Sequence, residues 1–136
     1  MKPSVHLTIA SLLSILLLII HVADDIAHGI GKAGPPNLII VPIVVLLVYG
    51  TLELAERRSG YVIMLLGSIL AMGMPVIHLR GARIGQIVTS SGGCFFLSTL
   101  FVLGVTGLYS FILVARGLWR LERGRNKAQG SLGSPR

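Results

Sequence analysis

Histidine and aspartate recur on one helical face in the stretch His21-Val-Ala-Asp24-Asp25-Ile-Ala-His28. Steps of three, four and seven residues bring side chains to the same side of an α-helix. Imidazole nitrogens and carboxylate oxygens are donors that Zn, Cu, Fe or Mn take from proteins. His21 with Asp25, or Asp24 with His28, has the i, i+4 spacing at which a helix offers two ligands to one ion. His78, in a later apolar segment, can complete the set. The candidate ligands are therefore His21, Asp24, Asp25, His28 and His78. Met72 and Met74 near His78 would favour copper, although Met is also ordinary apolar filler. A haem held by His78 and either His21 or His28 is a further arrangement, which no motif specifies.

Two other readings of the same residues stand beside the metal site. In the structural one, Asp24 and Asp25 pair with Arg80 and Arg83, while His21 and His28 hydrogen-bond between helices. Ionisable groups near the end of a membrane helix are inexpensive to hold, because water is close. In the other, the cluster belongs to a proton or ion relay whose second half is the stripe Tyr49, Glu53 and Glu56. That stripe has its own ordinary explanation, a rim of ion pairs with Arg57, Arg58 and Arg116, each contributing little.

The elements that must position these residues are legible in the composition. Of 136 residues, 53% are hydrophobic and only 12% charged. That charged share is about half that of an ordinary soluble domain, and a small soluble domain needs charge to cover its large surface. A membrane protein of one domain is the reading that remains. A disulfide scaffold is excluded by the single cysteine, Cys94.

A bilayer-spanning helix needs roughly 20 mostly apolar residues. Four segments predict helices, at about 7–28, 38–56, 61–79 and 93–118. The first follows Lys2 and has some character of a signal peptide, but no small-x-small cleavage pattern follows its apolar run, so it reads as a retained span. The segment 120–136 is basic and rich in Gly and Ser, and predicts a disordered tail.

Four spans put the N-terminus, the second loop and the C-terminus on one side. That side carries Lys2, Arg57, Arg58, Arg116, Arg120, Arg123, Arg125, Lys127 and Arg136; the other carries Lys32, Arg80 and Arg83. The bias of Lys and Arg towards the cytoplasm predicts both termini inside. The formal charge of +7 is thus topological. It is not a nucleic-acid footprint, since the basic residues flank helices with few aromatics among them. The partner it implies is the bilayer, with the tail drawn to anionic headgroups.

Small and polar residues mark the faces where membrane helices meet. In the first helix they are Ser14, His21, Asp24, Asp25 and His28. In the second they are Pro42, Leu46, Tyr49, Glu53 and Glu56. In the third, Gly60, Met64, Gly67, Ala71, Met74 and His78 make a seam. In the fourth, Gly92, Thr99, Thr106 and Ser110 share a side. Pro75 predicts a kink one turn before His78. Cys94 reads as a small core residue, preceded by capping serines Ser90 and Ser91.

The run from His6-Leu7 through His28-Gly29, with Tyr49-Gly50-Thr51-Leu52, Arg58-Ser59-Gly60-Tyr61 and Gly117-Leu118-Trp119, resembles small four-helix integral membrane proteins of bacteria. That resemblance spans most of the chain and carries no known activity. It implies a four-span inner-membrane protein and says nothing of a substrate.

The sequence thus predicts an all-α, antiparallel four-helix transmembrane bundle, with both termini cytoplasmic in a bacterial inner membrane. Two functions follow from it. One is an accessory or structural subunit that self-associates as a homo-oligomer or joins a larger membrane complex. The other is a metal- or redox-linked membrane protein using the outer His/Asp cluster. No catalytic triad, phosphate loop, CxxC or HExxH pattern points to an enzyme.

Overall fold

A computed structural model describes residues 3–27, 38–80, 85, 89 and 92–132, with side chains from 5 to 126 within them. The described residues form four helices of more than ten residues: α1 (Pro3–Ala27), α2 (Ile40–Leu52), α3 (Arg58–Leu79) and α4 (Gly93–Leu132). Three of them are long and apolar enough to cross a membrane, over Val5–Ala27, Arg58–Leu79 and Gly93–Asn126. In hydrocarbon every backbone polar group must be satisfied within the segment, which is why these apolar runs are helical. Large apolar side chains face outward along all of them. Phe101 is 71% exposed and Ile77 66%, as expected where the surroundings are lipid.

Several helix ends differ from the sequence expectation: α1 begins at Pro3 and α3 at Arg58, and α2 and α4 end elsewhere. As described, α2 has 13 residues, about 20 Å at 1.5 Å per residue, short of a hydrocarbon core of roughly 30 Å. It ends at Leu52, so Glu53 and Glu56 lie in the turn beyond it. In the other direction, α4 does not stop near Leu118. It continues through Leu132 for a total of 40 residues, about 60 Å, twice the thickness of the hydrocarbon core. Extending a formed helix needs no new nucleus, and Leu121, Glu122, Arg123 and Arg125 all favour the helical state. The guanidinium of Arg123 lies 3.8 Å over the ring of Trp119, one turn back.

The interior stripes are mostly those of small and polar residues. On α1 they are Leu7, Ala10, Ser11, Ser14, Leu18 and His21. On α3 they are Gly60, Met64, Ser68 and Ala71. On α4 Thr99 and Ser110 are buried together with Phe96, Leu103 and Val114. For α2 the expected face is wrong. Leu46 and Tyr49 are about half exposed, Pro42 is exposed, and the buried residues are Leu47, Gly50 and Thr51. The polar residues that suggested the stripe lie at or past the helix end, where polar groups reach water without facing a neighbour. The small pair Gly50-Thr51 is what lets α2 approach α3.

At Gly107, α4 packs directly on the backbone of α3. A Cβ there would lie 2.9 Å from the Ala71 Cβ and 3.0 Å from the Met72 nitrogen, so only glycine fits. At mid-height the hydroxyls of Ser11, Ser14, Thr51, Ser68 and Ser110, all buried, surround a cavity of about 20 Å³, room for one water. Ser14 and Ser110 bring α1 and α4 within 3.5 Å, oxygen to oxygen. Pro75 packs its ring against Gly104 of α4, and α3 is helical on both sides of it. Cys94 is exposed, not a core residue: Gly93 and Phe96, on either side of it, hold the inward positions at the start of α4.

Candidate metal centre

Three helix ends meet around His21. It sits in the last two turns of α1 and is completely buried. His78 comes from the last turn of α3. The two rings are in edge-to-face contact, with centroids 4.8 Å apart at 80°. Phe96, near the start of α4, walls both, with its centroid 5.0 Å from His21 and 5.7 Å from His78. Asp25, one turn after His21, turns its carboxylate towards both imidazoles. Its Oδ2 is 3.2 Å from His78 Nε2 and 3.9 Å from His21 Nε2.

The hydrogen bonds decide which lone pairs face inward. His78 Nδ1 is 2.9 Å from the Met74 carbonyl oxygen. That oxygen can only accept, so Nδ1 carries the proton and donates it. In a neutral ring, Nε2 is then bare, and it faces the Asp25 carboxylate, which when ionised is also only an acceptor. Two lone pairs at 3.2 Å repel unless a proton or a cation stands between them. Both ring nitrogens of His21 and Oδ1 of Asp25 are buried without a hydrogen-bond partner among the described residues. A buried polar group without a partner is costly.

His21, Asp25 and His78 each offer one donor atom, and these atoms lie within 4.8 Å of one another. Two atoms each about 2.1 Å from a tetrahedral ion lie about 3.4 Å apart. The two edges to Asp25, 3.2 and 3.9 Å, bracket that length. Imidazoles that bind metal commonly donate their other N–H to a backbone carbonyl, as His78 does to Met74. Two imidazoles and one carboxylate suit Zn or Fe, among others, and leave a coordination position open.

None of the protein-family models, curated proteins or solved structures compared with the chain matches it. The reading of the site therefore stands on its geometry alone.

Of the five candidate ligands, His21, Asp25 and His78 converge. Asp24 is half-buried beside them and is not one of the three converging donors. His28, Lys32 and Arg83, with the capping serines Ser90 and Ser91, lie outside the described residues. Asp25 faces two histidines and pairs with no arginine among the described residues. A haem held between His21 and His78 does not fit, because the two rings touch each other with no space for a porphyrin between them; the arrangement through His28 lies outside the described residues. Tyr49, Glu53 and Glu56 are exposed and form no inward stripe, so the relay loses its second half. Phe96 and the Met74 carbonyl were not anticipated. The seven-residue steps Phe96, Leu103, Ser110 could have located Phe96. No residue-type signal marks a backbone carbonyl.

Proposed function

We propose that this membrane protein binds one divalent transition metal through His21 Nε2, Asp25 Oδ2 and His78 Nε2. The observation that carries this reading is the Nε2 of His78 held 3.2 Å from the Asp25 carboxylate, with Nδ1 committed to the Met74 carbonyl, beside a fully buried His21 without a hydrogen bond. A cation between them satisfies all three donors at once. The ion would be Zn, Cu, Fe or Mn, and its open position would take water or a small ligand, so the centre can exchange or react.

The site lies in an antiparallel bundle whose termini face the cytoplasm of a bacterial inner membrane. The basic bias of the flanks supports that orientation. Contact of His21, His78 and Phe96 at one level, and of Leu7, Met64 and Val114 at another, supports the helix directions. A reporter active only outside the cytoplasm should be silent when fused after Arg136 and active when inserted at Gly34. The reverse pattern would move the metal site to the cytoplasmic end.

A second reading keeps the same contacts without metal. A proton would bridge His78 and Asp25, and the cluster would lock α1 to α3 in an accessory subunit, homo-oligomeric or part of a larger complex. One measurement separates the two. Detergent-purified protein, incubated with Zn, Cu, Fe and Mn in turn and desalted, should retain one equivalent of metal by elemental analysis. Wild-type protein that stays metal-free with all four ions would leave the structural lock.

A further inference from the structure

We propose that the end of the bundle remote from His21 binds the phosphate headgroup of an anionic phospholipid, between α1, α3 and α4. This is independent of the metal centre. A cavity of about 390 Å³ opens there, lined by Arg116, Arg120 and His6 together with Tyr61 and Tyr109.

The charge in this cavity is of one sign. No Asp or Glu lines it, and among the described residues no carboxylate lies within ion-pairing distance of Arg116 or Arg120. The two arginines are one turn apart on α4, so their guanidinium groups serve the same face. Planar guanidinium groups hold phosphate oxygens in pairs, and tyrosine hydroxyls can donate further bonds.

The depth of the cavity selects a lipid over a free ion. From Gly93 to Ala115, α4 carries no charged residue, and Arg116 is the first. Arg116 thus marks the level at which hydrocarbon gives way to headgroups, where basic pockets between helices recruit anionic lipids. Below the arginines the lining is Leu7 and Leu113, apolar surface against which acyl chains lie. The neighbouring cavity of about 220 Å³ contains Arg58 and Arg125 but also Glu122, which pairs with Arg58 at 3.7 Å. Its charge is partly neutralised from within, and it serves as the internal control.

The test is native mass spectrometry of the full chain released from neutral detergent. Phosphatidylglycerol, phosphatidylcholine or inorganic phosphate is added at matched concentrations. Wild type should bind phosphatidylglycerol about tenfold more tightly than phosphatidylcholine, given the attraction of each nearby Arg for anionic lipid. Arg116→Gln with Arg120→Gln should reduce phosphatidylglycerol to the phosphatidylcholine level, and Arg125→Gln should leave the preference intact. Should the double variant fail to fold by circular dichroism, each single variant should show a partial loss. Equal binding of the two lipids by wild type would overturn the proposal. So would a preference that survives loss of both arginines, or one lost equally with Arg125→Gln. Inorganic phosphate binding as tightly as phosphatidylglycerol would show that the site takes a free ion, and would overturn the lipid assignment.

Discussion

At one end of the bundle a single carboxylate, Asp25, is shared by imidazoles from two different helices. At the other, Arg57, Arg58, Arg116, Arg120, Arg123 and Arg125 outnumber Glu53, Glu56 and Glu122, and all of them are exposed. Charge is more abundant at the second end, yet the first holds the more specific chemistry. What differs is burial and the direction of lone pairs. A buried imidazole must be oriented by its neighbours, and once oriented it either has a partner or demands one. An exposed arginine is satisfied by water and headgroups in any rotamer.

The largest effect should come from breaking the ordered end. His21→Ala and His78→Ala should each abolish stoichiometric metal in elemental analysis of purified protein, because a two-ligand remnant no longer encloses the ion. Asp25→Asn should also lose it, since the amide oxygen carries no charge for the cation. Asp24→Asn should retain it, because Asp24 is not one of the converging donors. Loss of metal on Asp24→Asn with retention on Asp25→Asn would show that the wrong carboxylate has been placed in the site.

A smaller effect should separate two glycines that both sit at helix contacts. Gly67 belongs to the small-residue seam of α3, and such seams ordinarily let two backbones approach. Its neighbour is instead the tip of Leu47, with a Cδ2 that a Cβ would meet at 2.6 Å. A leucine tip can rotate away, and alanine gains up to about 1 kcal/mol of helix propensity over glycine. Gly67→Ala should therefore be near neutral. Gly107→Ala forces a methyl against Ala71 and the backbone of Met72, and should cost about 1–3 kcal/mol, as overpacking does. Thermal unfolding in detergent measures both. A Gly67→Ala loss equal to that of Gly107→Ala would mean that α2 is held as rigidly as the α3–α4 crossing.

The same contrast explains what the sequence could reveal. Apolar length and small-residue spacing are local, so α1, α3 and the membrane-spanning part of α4 could be read directly, as could the convergence of His21, Asp25 and His78. The face of α2 could not, because the helix is short and its conspicuous residues, Tyr49, Glu53 and Glu56, lie where polarity reports proximity to water. The end of α4 was hidden for a related reason. Gly124 and the basic run suggest disorder by composition, while helix continuation depends on the turn already formed before it. The tautomer of His78 is set by the Met74 carbonyl, and a carbonyl has no letter in the sequence.

The smallest expected effect lies at the exposed end. Arg58 and Glu122 join the start of α3 to the extension of α4 at 3.7 Å, with side chains 63% and 58% exposed. Attraction at that distance is screened by water and salt, and holding two long side chains together costs rotamer freedom. A double-mutant cycle with Arg58→Gln and Glu122→Gln, read by unfolding in detergent, should give a coupling of about 0.5 kcal/mol or less. Raising the salt concentration should reduce it further. The helical extension should also keep its circular dichroism signal in both variants, because Arg123 remains over Trp119 whichever partner of the pair is removed. A coupling well above about 1 kcal/mol would exceed what an exposed pair supplies. The basic end would then be as firmly ordered as the histidine end, and the distinction between a site built by burial and a surface tuned by charge would fail.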